Sequence, residues 1–367
     1  MVGVVVLLLV AYSGLLLYYS HAWRKLTPGP GAATPHVTVL IPARNEADHL
    51  PDLLHDLFHQ SYPGHVDIIV LDDHSTDNTP ALAVEQGVQV IRLADHPAPR
   101  HTAFKKHALT LGVRASTAPW VVAVDADSRL GPEWLTALMQ QVARGVHLIA
   151  GPVVMEPGKG LLRAFQQWDM LGMQLFTGGG IASRHPMLVN GANLAFTREA
   201  FEKVDGFAGT TDKASGDDIF LLHKIKAHFG ATAIRYAAEK EAIVTTRPVQ
   251  TWHALWHQRI RWASKTTRMT DGATFLLMGT AFLFHLAALT AWVWGFVEWR
   301  VWIGFGVAMV GKYLVERWAL SPIISRWQMA MPWHWLPVSQ LIYLPYVVLV
   351  GFLGNFISYR WKGRKVQ

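Results

Sequence analysis

The chain has 367 residues, 51% of them hydrophobic and only 16% charged, with 33 Lys+Arg against 26 Asp+Glu and no cysteine. An ordinary soluble domain carries about 25% charged residues, so a disordered chain is excluded and a wholly soluble one disfavoured. The missing cysteines remove disulfide scaffolds and thiolate zinc sites. The formal charge of +7 fits nucleic acid, anionic lipid or a phosphorylated ligand, and the length allows roughly two domains or one domain with a membrane part.

Residues Val2 to Ser20 carry no charge and are long enough to span a bilayer. Basic residues follow the run, at Arg24 and Lys25, rather than precede it. That order predicts a retained anchor over 1–22 with its downstream side in the cytoplasm, not a cleaved leader. A Pro/Gly-rich stretch, TPGPGAAT, makes 23–36 a linker. The runs Val37–Ile41, Val66–Leu71, Val88–Leu93 and Trp120–Val124 then read as buried parallel strands. Between the first two, Leu50, Leu53, Leu54, Leu57 and Phe58 recur at helical spacing. Strand, helix, strand predicts an open α/β sheet over 37–250, whose ligands sit at the carboxyl ends of its strands.

A further apolar stripe, Leu161, Leu162, Phe165, Trp168, Leu171 and Leu175, reads as domain core, or as a face touching lipid or an acceptor groove. Trp252, Leu255, Trp256 and Ile260, set among basic residues, predict an interfacial amphipathic helix over 251–271. Beyond it, 272–358 holds the apolar stretches Ala273–Val297, Val301–Leu320 and Leu336–Ile357. The first and last read as spans. The middle one contains Lys312, Glu316 and Arg317, and so crosses partly or lines a polar interface. The basic tail 359–367 prefers the cytoplasm.

Charged groups fall where an α/β site would place them. Asn45-Glu46 follows the first strand, and Asp72-Asp73 opens an Asp/Ser/Thr cluster after the second. Such acids hold a ribose or base, or simply make turns and cap helices. Asp125-Ala126-Asp127 closes the fourth strand and suits Mg²⁺ or Mn²⁺, with ligand phosphates completing the shell. Asp217-Asp218 precede an apolar run as helix-start acids, or as a general base over a reactive centre. A nucleic-acid polymerase would also use such acids, but the spans and the missing basic, aromatic groove count against nucleic acid. His55 and His59, without a third ligand, read as a solvated helix face.

In order and spacing, IPARNE, LDDHSTD, DAD, GDD and QRIRW resemble the membrane-bound family 2 glycosyltransferases. These are GT-A-fold enzymes using nucleotide sugars, and they include ceramide and other lipid glycosyltransferases and the hyaluronan and cellulose synthases. The resemblance implies a Rossmann-like, mostly parallel sheet with transmembrane helices at both ends of the chain. It implies a nucleoside pocket lined by Pro42, Arg44, Glu46, Asp72 and Asp73, with Asp125 and Ala126 at the ribose or sugar. Lys105, in FKKHALTLG, matches the family's lysine near the diphosphate, although Phe104 stands where the family has glycine. Asp127 would hold Mn²⁺ or Mg²⁺. Asp218 would be the catalytic base, and Asp217 replaces the family's Glu. Gln258, Arg261 and Trp262 would hold the leaving diphosphate and the acceptor end, and Asn190, Gly191 and Asn193 an acceptor-side loop. The implied activity is inverting transfer from a nucleotide-diphosphate sugar, expected to be a UDP-sugar, to a membrane lipid. The implied location is a bacterial inner membrane, with the catalytic domain in the cytoplasm. A processive polysaccharide synthase (hyaluronan, cellulose or poly-GlcNAc type) and a non-catalytic membrane nucleotide-sugar-binding subunit are the alternatives.

Overall fold

The computed structural model describes residues 1–31, 33–97, 103–211, 216–263, 272–354, 359–361 and 364–366. The end of the expected interfacial helix, 264–271, and parts of the linker and the basic tail lie outside these. In chain order the elements are α1 (Val2–Arg24), β1 (Val37–Ala43), α2 (Leu50–Phe58), β2 (Val66–Asp72), α3 (Thr79–Glu85) and β3 (Gln89–Arg92). Next come α4 (Phe104–Ala115), β4 (Trp120–Ala123), β5 (Ser128–Leu130), α5 (Trp134–Met139), β6 (Leu148–Ala150) and β7 (Val153–Met155). They are followed by α6 (Leu161–Ala182), β8 (Leu194–Thr197), α7 (Arg198–Lys203), α8 (Asp217–Phe229), β9 (Ile234–Tyr236) and β10 (Val244–Thr246). The last helices are α9 (Trp252–Ala263), α10 (Gly272–Trp294), α11 (Arg300–Trp327) and α12 (Leu336–Leu353).

Two units divide these elements: Leu26–Glu156 with Arg184–Arg247, and Met1–Lys25 with Pro157–Ser183 and Pro248–Gln367. The first is built on a seven-stranded sheet in the order β3-β2-β1-β4-β8-β6-β9. β1, β2, β3 and β4 are mutually parallel, and β8 runs antiparallel to both β4 and β6. Apart from Pro42, β1 is buried throughout, as a central strand covered on both faces must be. Val37, Val39 and Ile41 join Leu50, Leu53, Leu54 and Leu57 of α2 in one core cluster. Burial of each such side chain stabilises by about 1.5–3 kcal/mol. Phe58, the fifth residue of the expected stripe, is exposed at the helix end.

On the opposite face, α4 approaches so closely that a Cβ on Gly112 would lie 2.8 Å from Leu40 and 3.1 Å from Leu71. A larger residue there would have to push those leucine methyl groups aside. A second sheet, β5-β10-β7, consists of three-residue strands. Runs that short carry no readable alternation, which is why they escape the hydrophobic pattern. Asp56 on α2 ties this sheet down, accepting from Arg129 Nε at 2.7 Å and Nη2 at 2.9 Å. Burial alone would raise its pKa, but the hydrogen bonds from Arg129 and Leu130 hold it below the ordinary carboxylate value.

The second unit is helical. α1 packs against α6, α10 and α11, and α12 packs against α6, α9, α10 and α11. Among the described residues, three segments are long and apolar enough to cross a membrane: Val2–Arg24, Gly272–Trp294 and Trp333–Leu353. α11 is not one of them. Its Lys312 Nζ lies 2.5 Å from Glu316 Oε1, and Glu316 also accepts from Tyr12 and Gln340 at 2.7 and 2.8 Å. The polar interface expected of this stretch is therefore an ion pair with its hydrogen bonds satisfied inside the helical unit. One expectation changes: residues 157–183 do not belong to a continuous 37–250 domain. α6 buries its stripe among helices, and the first unit is interrupted in sequence.

Candidate active site

Because β1, β2 and β4 are parallel neighbours, their carboxyl ends open on the same edge, and the expected acids gather there. The turns after β1 and β2 lock together. Asp73 N donates to Ala43 O at 2.8 Å, and Arg44 Nη1 donates to Asp73 O at 2.8 Å and His74 O at 3.3 Å. Asn45 and His74 take positive φ, 52° and 56°, where side-chain-bearing residues are uncommon. Asn45 is held by Thr76 N donating to its Oδ1 at 2.8 Å, and its own N donates to Ser75 Oγ at 3.0 Å. Glu46 N donates to Thr79 Oγ1 at 2.8 Å, and Asp72 accepts from Ser75 N at 3.2 Å. The Asp/Ser/Thr cluster thus does make a turn, with Asp77 Oδ1 accepting from Thr79 N at 3.1 Å, although Asn78 at the N-cap of α3 makes no side-chain cap bond. The cluster also leaves Asp72 and Asp73, 4% and 5% exposed, fixed at the strand end.

The centre of the site is Lys105, in the first turn of α4. Its Nζ donates to Asp125 Oδ1 at 2.8 Å and lies 3.6 Å from Asp217 Oδ2. Burial would lower its pKa, but the carboxylates of Asp125, then Asp217, with Asp218 behind them, outweigh that and hold it well above the ordinary lysine value. Lys105 is therefore a fixed cation in an acidic nest. Phe104, in place of the family's glycine, opens α4 and sets its ring edge-on to His74 with centroids 5.4 Å apart.

Asp217 and Asp218 stand in the first turn of α8, where the helix dipole favours anions. Gly216 before them takes φ 90°. Asp218 Oδ2 accepts from Gly191 N at 3.2 Å and its Oδ1 from Ile219 N at 2.8 Å. A Cβ on Gly191 would lie 3.2 Å from Asp217 Oδ2, 3.4 Å from Asp218 Cβ and 3.6 Å from Lys105 Nζ. The small-residue loop, the acid pair and the lysine therefore meet at one point. Asn190 shapes that loop, its Oδ1 accepting from Ala192 N at 3.0 Å.

Asn193 does not join them. It is fully buried; its amide donates to Pro152 O and Ala242 O, both at 2.8 Å, and its Oδ1 accepts from Trp134 Nε1 at 3.1 Å. With every polar atom of its side chain engaged, it braces the fold behind the loop. The expected ligand contact through that side chain is corrected accordingly. Ala126 likewise gives its methyl group to the core, which leaves only its backbone to face a ligand.

Between Ala126 and the solvent, Asp125 and Asp127 are half-buried. They offer hard carboxylate oxygens two residues apart. That donor set fits Mg²⁺ or Mn²⁺ and not a softer metal.

Gln258, Arg261 and Trp262 lie on α9, in the helical unit. Sequence reading missed the residue between them. Arg259 is buried, pairs with Asp169 Oδ2 of α6 at 2.6 Å, donates to Gln258 Oε1 at 3.0 Å, and lies 4.0 Å from the centre of the Trp262 ring. Asp169 also accepts from Tyr343 of α12. Only the co-occurrence of Arg in α9 with a lone Asp in the apolar α6 could have signalled this pair.

The mostly parallel central sheet, with β8 running antiparallel within it, is that of the GT-A fold class. A mannosyltransferase from Pyrobaculum calidifontis, solved with GDP-Man and Mn²⁺, shares the fold with a TM-score of 0.60 at 20% identity, covering 97% of this chain and 99% of that one. Residues 38–205 match the profile described as Glycosyl transferase family 2, and the chain carries a family 2 glycosyltransferase domain. It is 27% identical over 236 residues to the probable glycosyltransferase YdaM of Bacillus subtilis, covering 62% of this chain and 54% of that protein. It is 36% identical over 136 residues to the 4,4'-diaponeurosporenoate glycosyltransferase of Staphylococcus haemolyticus, covering 36% of this chain and 35% of that protein. The matches thus span about half of the first relative and about a third of the second.

Proposed function

We propose that the chain transfers a sugar from a nucleotide-diphosphate sugar to a membrane lipid, with inversion at the anomeric carbon. The observation that carries this reading is the convergence of Asp125, Asp217 and the Gly191-bound Asp218 on Lys105 at the carboxyl edge of the sheet. The turns after β1 and β2, with Pro42, Arg44, Glu46, Asp72 and Asp73, receive the nucleoside. Asp125 faces its ribose or sugar. Lys105 offsets the charge that builds on the departing diphosphate. Asp127 would hold a divalent cation, which when bound would supply Lewis-acid stabilisation of the same charge. Asp218 takes the proton of the acceptor hydroxyl as its oxygen bonds to the anomeric carbon from the face opposite the breaking bond to the diphosphate. One base and no separate nucleophile imply a single inverting displacement, so an α-linked donor gives a β-glycoside.

Gln258, Arg261 and Trp262 are assigned to the leaving diphosphate and acceptor end by their resemblance to the family motif. Asn190 and Gly191 are assigned to the acceptor side. A UDP-sugar is the expected donor, and the GDP-Man of the Pyrobaculum enzyme makes GDP-sugars the necessary comparison. The lipid acceptor is supported by the three apolar helices and by the relatives that glycosylate 4,4'-diaponeurosporenoate. The same helices, with Arg24 and Lys25 following the first, support an inner-membrane location with the catalytic unit in the cytoplasm.

The test is a screen of UDP- and GDP-sugars with the purified full chain in detergent and native lipid extract, read by mass spectrometry. One sugar added to a lipid supports the proposal, and a ladder of sugar units overturns single transfer in favour of a polymerase. Chelation by EDTA should abolish transfer and added Mn²⁺ or Mg²⁺ restore it, whereas Asp127→Asn should not be rescued at the same metal concentration. In Lys105→Met, kcat should fall roughly 10²–10³-fold, the scale of losing one preorganised electrostatic group. Unchanged steady-state turnover in that variant would remove Lys105 from the mechanism.

A further inference from the structure

At the other end of the same strands, the register of β1 and β2 creates a second cluster. Val37 pairs with Val66 and Thr38 with Asp67, so His36 and His65 face each other one residue before the strands begin. Asp67 lies two residues beyond His65 and therefore on the same face of the pleat. His36 Nε2 is 2.7 Å from Asp67 Oδ2, His65 Nε2 is 3.1 Å from Asp67 Oδ1, and the two imidazole centres are 4.5 Å apart. One ligand atom from each residue lies within 4.8 Å of the other two, and among the described residues this is the group of His and acids that gathers so closely. The backbone around it is tied down. Val37 N donates to His65 O at 3.0 Å, and Tyr62 Oη donates to Pro35 O at 2.6 Å.

We propose that His36, His65 and Asp67 form a zinc-class divalent cation site, separate from the carboxylate site at the carboxyl edge. Two imidazole nitrogens and one carboxylate suit Zn²⁺, whereas Mg²⁺ and Mn²⁺ favour all-oxygen shells. Around a tetrahedral ion with bonds near 2.0–2.1 Å, the ligand atoms stand about 3.3 Å apart. The two His–Asp contacts would therefore each lengthen by only a few tenths of an ångström to admit an ion. His65 is 71% exposed at its side chain, which leaves an entry path and a fourth position for water. β1 runs seven residues between the two sites, about 23 Å at the usual strand rise, so the ion cannot take part in transfer. It clamps the first two strands at their amino ends.

The experiment uses the full chain in detergent, stripped with EDTA and titrated with ZnCl₂ against a chromophoric chelator. We expect a tight equivalent of Zn²⁺ and a rise in the thermal midpoint on binding. Zinc affinity should fall by more than the roughly 10–100-fold that loss of a mere supporting partner costs in His36→Gln, His65→Gln and Asp67→Asn. It should persist in His55→Gln, His253→Gln and Asp127→Asn, which probe the ring pairs His55/His59 and His253/His257 and the carboxylate site. His65→Gln, at the most exposed position, keeps the test valid if the other two substitutions impair folding. Zinc bound equally by the His65→Gln protein, or no zinc taken up by the native chain, overturns the proposal and leaves a hydrogen-bonded His/Asp cluster only.

Discussion

Asp218→Asn is expected to lower kcat by about 10²–10⁴-fold, the range that a positioned general base contributes, while nucleotide affinity stays near that of the native chain. At roughly 1.36 kcal/mol per decade, the loss is about 2.7–5.5 kcal/mol of transition-state stabilisation. The substitution preserves shape. Gly191 N and Ile219 N hold the two carboxylate oxygens in place, and an asparagine oxygen still accepts from one of them. The proton acceptor is what disappears. Single-turnover transfer and calorimetric titration with the nucleotide diphosphate separate the two effects. Asp217→Asn is the informative companion, because Asp217 sits 3.6 Å from Lys105 Nζ and acts through it. Its effect should be smaller and should appear partly in KM for the donor. Native turnover in Asp218→Asn would displace this residue as the base and leave a nucleotide-binding unit in its place.

Arg259→Met should produce the largest loss of stability of any single change in α9. The guanidinium is 3% exposed and its partner Asp169 10%, with 2.6 Å between them. Removing one member of such a pair leaves an uncompensated buried charge, at a cost of about 3–5 kcal/mol. The thermal midpoint in detergent should fall, and adding Asp169→Asn should recover part of it, since the orphaned anion is then gone. Transfer should fall in Arg259→Met as well, although Arg259 is not assigned to any ligand. The same guanidinium holds Gln258 by a hydrogen bond and lies against Trp262 as a cation over a ring. A midpoint unchanged in both variants would show that the pair does not hold α9 in place.

The parts of this architecture that the sequence makes legible are those with long or strongly patterned signals. β1, β2 and β4 are mostly apolar runs with polar and acidic residues close behind them, and runs of that kind are strands of a covered parallel sheet. Lys105 is readable because of its motif, and the structure adds the reason it matters, three carboxylates drawn around one ammonium. What stayed hidden has a common cause: it depends on partners distant in the chain. Asn193 looks like a polar residue in a ligand loop until Trp134, Pro152 and Ala242 are seen to use its amide. Arg259 looks like an interchangeable basic residue until Asp169 appears beside it, 90 positions earlier. α6 has the stripe of any core helix, and nothing in its own residues says which core.

The interruption of the sheet-bearing unit by α6 has a practical consequence for dissection. The strands on either side of Pro157–Ser183 belong to one sheet, so trimming the chain at both ends never removes that helix. A water-soluble fragment spanning Leu26–Arg247 would carry α6 without α1, α11 and α12, baring the apolar surface they cover. Such a fragment should clump unless 157–183 is replaced by a short polar bridge.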